Sequence, residues 1–381
     1  MITGKSALAI KSGFTSEDLG RLAMGGGGWC VSLYMPLHRT GREVRQAPIL
    51  LKDLRARAAA GLEARGCPPD ALAELLSPVN QILEETDFTL LQGEGLAVLS
   101  SRGHTASFLL PFAPPSMIEI GARYLIDPLL PLLFEDGRFH LLSLGFKSVR
   151  LFQADRLRLR EIPLDGIPTN LSQALKLEEE IDTAGYPSIE PPTTGKDRKR
   201  EILEFFRALD RGLRPRLGGS DQALLLAGME FLLPLYRGAN THPRLLDQAI
   251  PGNAGLTGDA AELHAKAWRA YRETRDEEKE HVLRLYRERL ASRRALAGLR
   301  NVLPAAAQGR ISHLLVRKGW RQWGRFGAED HRVTLDDVPG DTNEDLANLA
   351  CVHALLGGAK VYSLEAGELP EKAEIAALCR Y

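Results

Sequence analysis

Ala223-Leu224-Leu225-Leu226-Ala227-Gly228 is a short, wholly apolar run closed by a glycine, and it constrains the fold more than any other segment. A run this short with no polar position has no wet face, so it reads as a strand buried on both sides. Such a strand needs a layer above it and another below it. Helical spacing supplies the layers. Leu50, Leu51, Leu54, Ala58 and Leu62 share one face of a predicted helix over residues 49–65. Ile202, Leu203, Phe205, Phe206, Leu209 and Leu213 mark the buried stripe of another that starts at Asp197. A chain with both patterns is an α/β protein.

The same reasoning sets the order of elements. Trp29-Cys30-Val31-Ser32-Leu33-Tyr34-Met35 follows four glycines and stops at Pro36, which predicts a strand. A second helix follows Cys67-Pro68-Pro69-Asp70, and strand-like pieces are expected over residues 88–92, 95–100 and 105–110. Residues 139–145, 149–153 and 157–162 predict a meander, the last with alternating apolar and polar positions. Residues 178–196 hold Pro187, Pro191, Pro192 and Gly195 and predict a long loop. Residues 237–258 read as irregular. They lead into helices over 259–294 and 295–308, then a strand at 311–316 with 320–326 paired to it. A helix capped by Thr342 or Asn343 and a strand over 359–364 close the chain. The expected division is 1–133, 134–217 and 218–381.

Composition excludes several classes. Lys and Arg together number 49, as do Asp and Glu, and 44% of residues are apolar. The chain has ample material for cores and carries no uniformly basic coat. No apolar stretch is long enough to span a membrane, and residues 1–13 do not read as a signal peptide, so a cytoplasmic protein is expected. Cys30, Cys67, Cys351 and Cys379 form no Cys-x-x-Cys and predict buried thiols, with a 351–379 bridge left open. Neither metal nor cofactor is expected: the histidines are scattered, no Gly-x-Ser-x-Gly occurs, and the four glycines precede a strand where a phosphate loop needs a helix.

Charge is uneven on a shorter scale. Residues 196–216 carry a net +4, and residues 284–325 a net +10 with Glu288 as the one acid. The second stretch contains Arg317-Lys318-Gly319-Trp320-Arg321-Gln322-Trp323. Cations interleaved with aromatics suit phosphates and unstacked bases. The competing reading pairs these charges with upstream acids and packs both tryptophans in a core.

Four segments in order carry a family resemblance. Cys30-Val31-Ser32-Leu33-Tyr34-Met35-Pro36, residues 139–162 with Val149-Arg150-Leu151-Phe152, residues 308–316, and Asp345-Leu346-Ala347 with Gly358-Ala359-Lys360-Val361-Tyr362 resemble archaeal and eukaryotic class I peptide-release factors. The chain therefore looks like a bacterial homologue of that family and of the related rescue factor Pelota. The resemblance implies three domains: a mixed α/β first domain, a ribonuclease-H-like middle domain, and an α/β sandwich like kink-turn-RNA-binding ribosomal proteins. It implies the ribosome and its rRNA as partner, with tRNA a further candidate. The family's Gly-Gly-Gln is absent from this sequence, as is any codon-reading Asn-Ile-Lys-Ser. The expectation is thus a non-catalytic ribosome-binding factor in rescue or hibernation. Its candidate RNA contacts are Lys196, Arg198, Lys199, Arg200, Arg317, Lys318, Trp320 and Arg321. A peptidyl-tRNA or RNA hydrolase using Asp136, Asp155 or Glu161, and a stress-linked protein adaptor, stay open as alternatives.

Overall fold

The computed structural model of the chain describes residues 10–11, 16–38, 46–91, 93–134, 138–145, 148–156, 158–171, 196–217, 222–252, 260–292, 294–340, 342–369 and 373–381. The expected loop at 178–196 lies outside them, apart from Lys196, which begins a helix. The chain divides into two compact units, residues 137–278 and residues 1–136 with 279–381.

The 137–278 unit is built on β5 (Phe139–Leu144), β6 (Val149–Ala154), β7 (Leu159–Ile162), β8 (Ala223–Gly228) and β9 (Leu245–Pro251), in the order β7-β6-β5-β8-β9. The expected meander is present, with β5, β6 and β7 antiparallel. The apolar run forms β8, buried along its whole length and parallel to both neighbours. Its side chains alternate between layers, as a strand's must. Leu224 and Leu226 pack with Ile202, Phe206, Leu209 and Leu213 of the helix Lys196–Leu217. Leu225 and Ala227 pack with Leu263, Ala267 and Tyr271 of the helix Ala260–Leu290. Phe139 stacks on Tyr271 at 4.6 Å.

This sheet corrects the expected boundary at 217/218. β8 and β9 complete the sheet that β5 opens, so the unit runs on to residue 278. Residues 245–251, expected to be irregular, supply an edge strand.

The other unit joins both ends of the sequence. β1 (Gly26–Pro36), β2 (Gly95–Ser101), β3 (His104–Leu110) and β4 (Met117–Arg123) form an antiparallel sheet ordered β3-β2-β1-β4. Leu33 and Met35 face Leu51, Leu54, Val79 and Ile82 of the helices Ala47–Ala64 and Pro69–Glu85. Residues 88–90 form a turn, because Asp87 Oδ1 accepts from the Thr89 amide and hydroxyl and bends the chain.

The 279–381 portion holds β10 (Ala295–Ala297), β11 (Ile311–Arg317), β15 (Lys360–Leu364) and β16 (Ile375–Cys379) in the order β10-β16-β11-β15. Val282, Leu283 and Tyr286 cover one face, packing on Leu315, Leu364 and Leu378. The helices Leu299–Ala307 and Leu346–Leu356 lie in the other core, where Val302, Leu303 and Leu349 meet Leu314 and Val361. The sheet thus has helices on both faces, and two elements differ from expectation. Gly298, at φ 76°, breaks the expected helix at 295–308 into β10 and a shorter helix. β12 (Trp323–Phe326) pairs with β13 (Val333–Asp336) and β14 (Glu344–Asp345), not with β11.

The first and last segments share one apolar cluster. Cys30, Tyr34, Phe108, Leu125 and Leu129 pack in it beside Leu299, Val302, Leu349 and Val361. The N-terminal sheet and the sandwich, expected as separate domains, therefore form one compact unit. All four cysteines are buried and free. Burial pushes the Cys30 thiol up to about 11 and raises Cys351 well above the usual range.

Candidate functional site

The resemblance rested partly on Val31-Ser32-Leu33-Tyr34, and the structure gives its polar residues a task. Ser32 and Tyr34 point away from Leu33 and Met35, toward the segment after β4. The Leu125 amide donates to Ser32 Oγ at 2.9 Å, and Tyr34 Oη donates to Leu125 O at 2.5 Å. Asn348, on the helix Leu346–Leu356, holds the flanking peptides: Ile126 N–H donates to its Oδ1 and its Nδ2 donates to Tyr124 O, both at 2.8 Å. Asp345, not Thr342 or Asn343, caps this helix, accepting from the Ala347 amide at 3.0 Å.

The predicted contacts at 317–321 fall beside this junction, and the structure pairs their charges internally. Arg317 pairs with Glu374. Lys318 Nζ lies 2.9 Å from Glu365. Arg321 meets Glu119 at 2.5 Å and Asp345 at 3.9 Å. Trp320 is half-buried against the shared core. Arg321 is the most committed of these, since it ties the N-terminal sheet to the helix cap. A cavity of about 480 Å³ opens nearby between Trp29 and Trp323, and its cations are also engaged. Arg123 meets Glu344 at 3.2 Å, and Arg65 donates to Ile120 O.

Asp127 completes the junction, accepting from the Gly319 amide at 3.2 Å. Burial, with a smaller push from Asp345, raises its carboxyl to about 6 from an ordinary 3.8. The folded state thus holds a proton that the unfolded chain has released. The associated stability is present below about pH 4 and is lost as pH rises through about 6. Asp127→Asn should therefore raise the melting temperature at pH 7, by an amount equivalent to about 1–3 kcal/mol. It should also flatten the dependence between pH 4 and 7. Thermal melts across that range check this; a variant that melts below wild type at pH 7 contradicts it.

In the 137–278 unit, Lys199 and Arg200 are exposed near the start of the helix Lys196–Leu217. Arg200 lies 3.7 Å from Glu204, with both side chains mostly in water, so the pair holds it weakly. Lys196 and Arg198 belong to the same turn of helix. Of the carboxylates considered for hydrolysis, Asp136 lies outside the described residues. Asp155 Oδ1 accepts from the Arg158 amide at 2.9 Å and closes a turn. Glu161 is bound by Arg150 at 2.5 and 3.0 Å, and that hydrogen bond lowers its carboxyl. Among the described residues, no group of His, Cys, Asp or Glu could hold a metal ion, and no helix is long and apolar enough to cross a membrane.

Sequence reasoning missed a set of exposed cations at the opposite end of the sandwich sheet from Arg317: Arg294, Arg310, Lys360 and Arg380. The signal lay in where acids are absent. Residues 289–318, 351–364 and 375–381 contain no Asp or Glu.

Several known proteins are similar to this chain. Residues 138–310 match the family model described as bacterial archaeo-eukaryotic release factor family 3. Among solved structures, the archaeal translation termination factor aRF1 is 15% identical over 97% of this chain and 99% of that one, with a TM-score of 0.24. Dom34 of S. cerevisiae is 14% identical over 73% of this chain and 74% of that one, with a TM-score of 0.37. Pelota of Archaeoglobus fulgidus is 14% identical over 97% and 94%, with a TM-score of 0.28. No curated protein matches the chain. What the comparisons give is a similarity, confined to residues 138–310, to bacterial archaeo-eukaryotic release factor family 3.

Proposed function

We propose that the chain is a non-hydrolytic translation factor that binds the ribosome through RNA, in rescue or hibernation. The observation that carries this reading is the match of residues 138–310 to a release-factor family. The strand order of the 137–278 unit supports it: an antiparallel meander followed by two parallel strands suits the ribonuclease-H-like middle domain that the resemblance implies. The sequence has no Gly-Gly-Gln, so the group that positions water for peptidyl-tRNA hydrolysis is missing. Binding without hydrolysis is what remains.

Lys199 and Arg200, with Lys196 and Arg198 on the same turn, are the RNA contacts of the 137–278 unit. The exposure of Lys199 and Arg200, and the weak pairing of Arg200 with Glu204, suit them to neutralising phosphate. Arg317, Lys318 and Arg321 have carboxylate partners in the folded chain. For them, RNA contact would need those pairs to open. The test is pelleting with ribosomes: the chain should travel with them at low salt and be released as salt rises. Retention in the supernatant at low salt would overturn the reading.

A further inference from the structure

The sandwich sheet has two ends, and their charges are organised differently. At the end where β11 finishes, each cation has an acid. Arg317 pairs with Glu374, Lys318 with Glu365, and Lys279 with Glu368. At the other end no such pairing is found among the described residues. Arg294 precedes β10, and its carbonyl accepts from the Cys379 amide at 2.8 Å. Arg380 follows β16, and its amide donates to Arg310 O at 2.9 Å. Arg310 precedes β11, and Lys360 opens β15. The sheet order β10-β16-β11-β15 therefore sets Arg294, Arg380, Arg310 and Lys360 at one end of the sheet, one per strand, with Lys360 level with His313, three residues along from Arg310.

All four residues are exposed, and none forms an ion pair among the described residues. The segments that carry them contain no Asp or Glu side chain. Glu288 is the last acid before the first segment. His313 is the register partner of Lys360 across the β11–β15 ladder. Its imidazole is lowered by burial, then by Lys360, Arg289 and His281, so cations and no acid surround it. Tyr381 is 76% exposed beside Arg380 and offers a ring for stacking.

Resting on the reading above, we infer that this acid-free end of the sheet, Arg294, Arg310, Lys360 and Arg380, is an RNA phosphate-binding surface. Like charges held at one end of the sheet with no internal partner repel one another, and an anionic strand removes that repulsion. Three of the four are arginines, whose planar forks match phosphate oxygens. Arg380 also has structural work. It donates to Ile311 O at 3.0 Å and to Gly357 O at 2.5 Å, which fixes its guanidinium. The other three make no such backbone bonds, so they can be changed without unpicking the sheet.

The test uses the full chain and a labelled single-stranded polyuridylate probe. R294Q/R310Q/K360Q should bind more weakly by about 10- to 100-fold at low salt, with a salt slope shallower by about 2, at about 0.7 per lost phosphate contact. R317Q/K318Q, at the paired end, should bind as wild type does. Both variants should melt cooperatively, and Lys199→Gln with Arg200→Gln gives an independent loss. An unchanged affinity and slope in the triple variant, while wild type binds, overturns this inference and leaves the ribosome reading standing. Failure of wild type to bind either RNA or ribosomes overturns both. Equal displacement of the probe by polyglutamate would mean that this end of the sheet docks acidic protein, and would overturn the RNA assignment alone.

Discussion

Gly228→Ala is expected to lower the melting temperature of the 137–278 unit by more than about 10 °C. Gly228 ends β8 and pairs with Leu144 of β5. Its φ is +140°, a conformation that L side chains rarely adopt. A Cβ there would fall on the Leu144 carbonyl oxygen, inside the ladder that joins the meander to the parallel strands. Neither atom can move away, because both belong to backbone held by neighbouring strands. The Gly252 amide donates to Gly228 O at 2.9 Å, which pins the far side as well. Strain and overlap together cost about 3–5 kcal/mol. Gly238→Ala is the control: it is exposed in the helix Leu232–Ala239, has nothing within 4 Å of the new methyl, and should stabilise slightly. Calorimetry of both variants decides. A Gly228→Ala protein that melts like wild type contradicts the β5–β8 register.

Asn348→Leu is expected to destabilise the unit that joins the two ends of the sequence by about 2–4 kcal/mol. The volume change is small, so packing is largely kept. The loss is polar. The Ile126 amide and the Tyr124 carbonyl are buried among Leu125, Leu129 and Leu349, and each has Asn348 as a partner at 2.8 Å. Leucine leaves both unsatisfied, and an orphaned buried peptide group carries its whole desolvation cost. The melting temperature should fall by about 5–10 °C. Limited proteolysis after Arg123 should rise with it, since the segment 124–126 then loses two of the backbone hydrogen bonds that hold it. A variant with wild-type stability would mean that water replaces the amide.

Much of the fold was legible because burial on two faces leaves little room for ambiguity. β8 showed itself as an uninterrupted apolar run, and the helix Lys196–Leu217 by its stripe. What stayed hidden depended on partners distant in sequence. β16 reads Ile-Ala-Ala-Leu-Cys, with small side chains and one β-branched residue, and only its place between β10 and β11 makes it a strand. β12 lies close to β11 in sequence, but Gly324 approaches the backbone of Thr334 and Leu335 so closely that it fits against β13. The basic stretch at 284–325 misled in the same way. Glu374, Glu365 and Glu119, which pair with Arg317, Lys318 and Arg321, lie 57, 47 and 202 residues away. A local charge count could not see them, and so could not tell the paired end of the sheet from the bare one.

Ribosome association through RNA phosphate, proposed above, is decided by pelleting purified ribosomes with the protein across a salt series. Co-pelleting is expected at about 50 mM salt and release by about 200 mM, the steep dependence of a surface that displaces several counterions. Earlier release is expected when Lys199 and Arg200 are replaced by glutamine. A protein that remains in the supernatant at low salt, or one that stays bound with no change across the series, would contradict it.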